Sequence, residues 1–260
     1  MTTDVWIQAA DGVRLDAVWH SPTADRTMGV VVLAHGISTE MDEGGMFRRL
    51  AEALAGQGFG VLQFSFRGHG RSGGTQRGAT IAGEMLDLQA AVEHVAERFD
   101  DPVSIVAASF GAVSTCMSLP YLDENLRALV LWNPVLDLRR TFIDPSLPWG
   151  LENFSLAQQA LLSSQGFLLI DGTFALGRVA FEEMQHYHPL EQFIRSRVPA
   201  MVVHGDRDAA VSYDIACRAT EVRGCDFHTV EGSDHGFDSR EREEEAIAVT
   251  VSWLIRQQER

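Results

Sequence analysis

Three residue types that together make a serine nucleophilic occur in this chain in the order serine, aspartate, histidine. Ser109 lies in Ala107-Ala108-Ser109-Phe110-Gly111, between the apolar run 103–106 (VSIV) and the helix-compatible stretch 110–119 (FGAVSTCMSL). At a strand-to-helix corner a serine exposes its hydroxyl, and the next backbone N–H, that of Phe110, can point at an oxyanion. The acids stand in His204-Gly205-Asp206-Arg207-Asp208, and the histidine in Gly232-Ser233-Asp234-His235-Gly236-Phe237. A serine hydroxyl is a weak nucleophile until an imidazole accepts its proton, and the imidazole needs a carboxylate to fix its tautomer and stabilise its charged form.

Residues so far apart in sequence need a scaffold that gathers loops. Short continuous apolar runs, the pattern of strands covered on both faces, occur at 30–34 (VVVLA), 59–64 (FGVLQF), 103–106, 126–132 (LRALVLW) and 198–204 (VPAMVVH). Helical spacing separates them: Phe47, Leu50, Ala51 and Leu54; then Ile81, Met85, Leu88, Val92 and Val95, with Glu84, Asp87 and Glu93 on the polar face. Ala216, Ala219 and Val222 suit a further helix, and Ile247, Val251 and Leu254 a last one that starts in the solvated charged cluster 240–245. A hairpin about Asp11-Gly12 precedes this pattern, and an edge strand is predicted at 225–230. The alternation predicts an α/β fold, a mostly parallel sheet with helices on both faces. Ligands bind such sheets at the carboxyl ends of the strands, where the His35-Gly36-Ile37, Ser109, 204–208 and 232–237 segments would converge.

The alternation is lost between Asn133 and Arg197, where Pro134, Pro145 and Pro148 interrupt the pattern. A short helix is predicted near 155–162 and a hairpin about Asp171-Gly172. We therefore divide the chain into a core, 1–132 and 198–260, and an inserted lid, 133–197. Trp149, Phe154, Phe167 and Phe174 form either the insertion's own small core or the lining of an acyl or aryl substrate pocket.

Composition sets the remaining bounds. A formal charge of −15 disfavours nucleic acid and an anionic membrane surface as partners. Cys116, Cys217 and Cys225 make no metal-type spacing, and an odd count suits a reducing compartment. With neither a basic, apolar leader in MTTDVWIQAADG nor a long apolar run, a soluble cytoplasmic protein is expected. A homodimer built through the lid is compatible with the sequence.

The ordered set resembles the α/β-hydrolase family. The resemblance spans nearly the whole chain and rests on His35-Gly36, the Arg67-Gly68-His69-Gly70-Arg71-Ser72 loop, the serine elbow, the 204–208 run and the His235-Gly236-Phe237 ending. Ala107 departs from the family's Gly-x-Ser-x-Gly elbow, and alanine is still small enough for close strand–helix approach. The resemblance implies Ser109 as nucleophile, His235 as general base and Asp208 as the orienting acid, with Asp206 the alternative. It also implies an oxyanion hole made by the N–H groups of Ile37 and Phe110. His35 and His69 then read as structural hydrogen-bond formers, and Arg67 and Arg71 as partners of nearby acids. His186 and His188 are too weak a pattern for a metal site, and no metal or cofactor is expected.

The activity so implied is hydrolysis of a carboxylic ester on a small-molecule acyl substrate. The His-Gly loop, the 67–72 loop and the lid resemble lid-bearing esterases of the cinnamoyl, feruloyl and monoacylglycerol type. An acyl thioesterase is the alternative, made less attractive by the negative charge if its carrier is acidic. An aminopeptidase would need lid carboxylates for the substrate amine, with Glu182 and Glu183 as candidates. A non-catalytic small-molecule receptor on the same fold would have no need of all three catalytic groups.

Overall fold

The computed structural model describes residues 1–23, 27–100 and 103–258. Strands β1 (Thr2–Gln8) and β2 (Arg14–His20) pair antiparallel about the Asp11-Gly12 turn, with Ile7 opposite Leu15. The α/β pattern follows as β3 (Gly29–Ala34), α1 (Met46–Gly56), β4 (Phe59–Phe64), α2 (Ile81–Ala96), β5 (Val103–Ala108), α3 (Gly111–Leu122) and β6 (Leu126–Trp132). After β6 come α4 (Pro148–Asn153), α5 (Leu156–Gln165), the hairpin β7 (Phe167–Ile170) and β8 (Phe174–Gly177), α6 (Arg178–Glu183) and α7 (Pro189–Arg195). The chain then returns to the sheet as β9 (Ala200–Gly205), α8 (Tyr213–Arg223), β10 (Asp226–Val230) and α9 (Arg240–Gln258).

The main sheet runs β1-β2-β4-β3-β5-β6-β9-β10, parallel from β4 onward and antiparallel at the β1–β2–β4 edge. Every residue of β3, β4, β5 and β9 is buried, as continuous apolar runs require when helices cover both faces. On one face α1 and α9 close over Val31, Leu33, Val61 and Val203; on the other, α2, α3, α7 and α8 cover Val30, Val32, Ile105 and Val202.

The stretch 133–197 divides. Leu190 and Phe193 of α7 pack into the sheet's own core beside α3 and α8. The preceding residues make a third apolar cluster, in which Phe142, Phe154, Leu168, Ile170, Phe174 and Leu176 lie over Ile37, Phe110 and Val113 at the strands' carboxyl edge. The inserted elements are thus fixed to the loops that carry the reactive residue types.

Two helical faces depart from their patterns. Glu84 and Asp87, on the expected polar face of α2, are buried: Glu84 accepts the Ser114 hydroxyl at 2.6 Å, and Asp87 pairs with Arg67, which also holds Asp11. In the final helix Glu243 is buried against Arg49 instead of solvated. Hydrophobic periodicity counts apolar positions and does not register a carboxyl whose burial is offset by a partner from another element. Asp16 behaves likewise in β2, covered by Arg71 at 2.8 Å. Among the described residues no helix is long and apolar enough to cross a membrane.

Candidate active site

Ser109 stands directly after β5 with φ +50°, a backbone conformation that costs an L-residue about 1–2 kcal/mol and persists only where the surroundings enforce it. Both its peptide groups are held: its N–H donates to the Trp132 carbonyl at 2.8 Å, and its carbonyl accepts the Val135 N–H at 3.1 Å. The turn closes tightly enough that a Cβ on Gly111 would lie 2.4 Å from the Ala34 carbonyl oxygen, so glycine is required there. Ala107, fully buried within β5, fits without such a conflict.

The loop after β10 brings His235 to this corner. Its Nε2 lies 3.0 Å from Ser109 Oγ, and its Nδ1 lies 2.8 Å from Asp208 Oδ2. Asp208 Oδ1 accepts the N–H groups of Ala210 and Val211 at 2.8 and 2.7 Å, and a second imidazole, His204, meets Oδ2 at 3.1 Å. Burial alone would raise the Asp208 pKa, but His235 and His204 outweigh it and hold the group ionised, far below the usual carboxylate range. The reverse holds at His235: burial lowers its pKa, while Asp208, with Glu43 and Asp234 behind it, carries the net shift above the ordinary value. Asp206, the alternative acid, is engaged elsewhere: its Oδ1 accepts the Gly232 N–H at 2.6 Å.

The loop after β3 supplies the opposite wall. The Phe66 N–H donates to His35 Nε2 at 2.9 Å, so the proton of the neutral ring sits on Nδ1, which donates to the Gly36 carbonyl at 2.7 Å. Burial, with His69 nearby, keeps this imidazole neutral well below its ordinary pKa. Because a trans peptide directs C=O and N–H to opposite sides, anchoring the Gly36 carbonyl turns the Ile37 N–H the other way. His69 holds the Ile37 carbonyl through Nε2 at 2.7 Å. Phe110 is the N-cap of α3, and its N–H has no intrahelical acceptor.

Between these loops and the insertion lies a cleft of about 130 Å³ whose lining includes Ser109, His235, Glu43, Phe142, Trp149 and Val211. Of the four aromatic residues predicted for a pocket, only Trp149 lines it. Phe154 stands behind, edge-on to Phe142, with ring centroids 5.1 Å apart. Phe174 stacks on His69, and Phe167 lies under the Arg77 guanidinium. The fold of the insertion, not its composition, decides which ring faces the cleft.

Phe142, Glu43 and Asp171 are the site residues that sequence reasoning missed, and His204, named there within the 204–208 run, was given no role. Only Asp171 left a signal, the predicted Asp-Gly turn; that turn reaches the cleft, where Asp171 accepts the Trp149 indole N–H at 2.9 Å. Glu182 and Glu183, expected as lid carboxylates, are used locally: Glu183 accepts the Ile81 N–H at the start of α2, and Glu182 accepts from the Gln185 side chain.

A mostly parallel sheet with helices on both faces and these loops at its carboxyl edge defines an α/β-hydrolase. The family model described as serine aminopeptidase, S33, matches residues 25–166, over half of the chain, and the chain belongs to that family. Among solved structures it is similar to Est1E of Butyrivibrio proteoclasticus with ferulic acid bound, at 20% identity and TM-score 0.83 over 98% of this chain and 100% of that one. It is similar also to an esterase of Pyrococcus furiosus, at 22% identity and TM-score 0.76 over 98% of this chain and 91% of that one. An esterase domain from Rhodothermus marinus matches at 18% identity and TM-score 0.74, covering 98% of both chains. A search of curated protein sequences returns no match.

Proposed function

We propose that this α/β-hydrolase cleaves carboxylic esters of short acyl groups through an acyl-enzyme on Ser109. The observation that carries this reading is the hydrogen-bond chain from Ser109 through His235 to Asp208, with the serine in a strained conformation held from both sides. His235 takes the serine proton as Oγ adds to the ester carbonyl, then returns it to the departing alcohol. Water, deprotonated by the same imidazole, attacks the acyl-enzyme and releases the acid. Asp208 keeps the ring's Nδ1 protonated and stabilises the imidazolium, while the Ile37 and Phe110 N–H groups bind the oxyanion of each tetrahedral intermediate.

Residues 133–197 act as the lid, with α7 as its root on the core, and the lid sets acyl specificity through Phe142 and Trp149. A cleft of about 130 Å³ is small beside ligand pockets of ~300–1,000 Å³, which supports acyl chains of only a few carbons. The test is a series of aryl esters of graded acyl length, with acyl thioesters and aminoacyl amides in parallel and Ser109→Ala as control. Turnover should fall by at least ~10³-fold in Ser109→Ala. Full activity in that variant would end the proposal.

One observation favours a second reading, an aminopeptidase. The carboxylate of Asp171 lines the cleft from the lid side, where a substrate amine could meet it. Faster turnover of aminoacyl amides than of esters, lost in Asp171→Asn, would select it.

A further inference from the structure

Glu43 is an acidic side chain of the cleft to which neither reading above gives a role. It is half-buried there and stands in an unusual backbone, a short turn in which Glu43, Gly44 and Gly45 all have positive φ (+47°, +63° and +94°). A glutamate at positive φ is disfavoured, and nothing in a surface turn calls for it. Its side chain supplies the reason, because Oε2 accepts the Gly36 N–H at 2.6 Å. Oε1 approaches the same residue: a Cβ placed on Gly36 would lie 3.4 Å from Glu43 Oε1, 3.2 Å from Ser109 Cβ and 3.6 Å from Ser109 Oγ. The glutamate and the serine therefore converge on the same face of Gly36, where its side chain would stand.

The polar groups of the 35–37 segment are held one by one. The Gly36 carbonyl is taken by the His35 ring, the Ile37 carbonyl by His69, and the Gly36 N–H by Glu43. The Ile37 N–H is the donor these three bonds leave to be aimed. His35 and His69 act from behind the segment, and His35 accepts the Phe66 N–H as well. Glu43 acts from within the cleft.

We propose that Glu43 is a positioning residue of the oxyanion loop: by holding the Gly36 N–H it sets the direction in which the Ile37 N–H faces Ser109. This rests on the reading of Ile37 as an oxyanion donor. Burial raises the Glu43 carboxyl to about pH 7, yet a carbonyl oxygen accepts the Gly36 N–H in either protonation state, so the bond does not require the charge.

The test compares Glu43→Ala, Glu43→Asp and Glu43→Gln with the wild type on a p-nitrophenyl ester. Complete removal of an oxyanion donor costs about 10²–10³-fold in kcat, and a misaimed one should cost about 10–100-fold. That loss is expected in Glu43→Ala and in Glu43→Asp, whose carboxyl is one methylene short of Gly36, with KM within about threefold. Glu43→Gln keeps an acceptor oxygen at the same reach and should recover most of kcat. Affinity for a trifluoromethyl ketone should fall in step with kcat. That inhibitor adds to Ser109 Oγ as the serine proton passes to His235, leaving an oxyanion where the ester's would form.

Three results would overturn the proposal: an unchanged kcat in Glu43→Ala, a loss confined to KM, or a Glu43→Gln as impaired as Glu43→Ala. Should no ester be turned over, the functional reading fails separately, and hydrogen exchange at the Gly36 amide still decides the present one. The amide should exchange slowly in wild type and Glu43→Gln, and about tenfold or more faster in Glu43→Asp. A Gly36 amide unprotected in the wild type overturns it, whatever the substrate.

Discussion

Asp206 accepts the Gly232 N–H at 2.6 Å and so ties the loop after β9 to the loop after β10, two residues before the aspartate that meets His235. The two acids of one short segment thus hold different things, one a backbone and the other an imidazole. Replacing Asp208 by Asn should lower kcat by about 10⁴-fold, because the amide can hold the wrong imidazole tautomer. Asp206→Asn keeps an acceptor oxygen for Gly232 and should lower kcat by no more than about tenfold, with a stability loss of about 1 kcal/mol. Steady-state rates of the two variants on one ester decide the matter. A larger loss at Asp206 would mean that the acid is misassigned.

The acid limb of activity follows from His235. Its folded-state pKa is raised, with burial opposing and Asp208, Glu43 and Asp234 prevailing, and only the neutral ring accepts the serine proton. The limb should therefore lie above the ordinary imidazole value of ~6.5, with kcat/KM falling about tenfold per pH unit below it. Glu43→Gln removes one of the charges that raise the ring, so its limb should move to lower pH. A profile flat from about pH 5 to 8 is incompatible with this assignment.

The candidate site was legible because its residues stand where strands end. Val30–Leu33, Ile105 and Val202 are apolar on both faces, and in a parallel sheet such runs locate the loops that follow them, hence His35, Ser109 and Asp208. Glu43 was illegible for the opposite reason: its contact with Gly36 depends on a positive-φ turn that no periodicity marks. Glu84 and Asp87 misled because their positions on α2 look outward until α3 and Arg67 are in place. Phe142 was missed and Phe167 proposed because only the packed insertion distinguishes a ring in the cleft from one beneath Arg77.

Acyl preference should answer to the cleft's aromatic wall. Trp149 meets Phe142 edge-on at 6.2 Å between centroids and closes the site on the insertion side. Trp149→Ala should open it, and each further methylene accommodated is worth about 0.8 kcal/mol, roughly fourfold in kcat/KM. The ratio of hexanoyl to acetyl ester turnover is expected to rise by at least about tenfold. Trp149→Phe, which keeps a ring but not the bond to Asp171, separates bulk from hydrogen bonding. If the chain-length profile of Trp149→Ala matches the wild type, the acyl group lies elsewhere.

Stability should carry the mark of Glu84. Burial raises its carboxyl to about pH 8, against the Ser114 hydrogen bond and Arg67, which favour the ionised form. A carboxyl with a raised folded-state pKa contributes its full stability below the unfolded value, and loses it as pH climbs from there to the folded value, here from 4.5 to about 8. Above that window the folded protein must hold a buried charge, or give up part of the packing between α2 and α3. Glu84→Gln keeps an acceptor for the Ser114 hydroxyl and has nothing to ionise. At pH 5 the variant should be equal to or less stable than the wild type, since the neutral acid already fits. At pH 9 the order should reverse by at least ~1 kcal/mol, about 2–4 °C in Tm for a chain of this size. Paired melting curves at the two pH values check it, and a difference that does not change between them would show that Glu84 is ionised in the fold throughout.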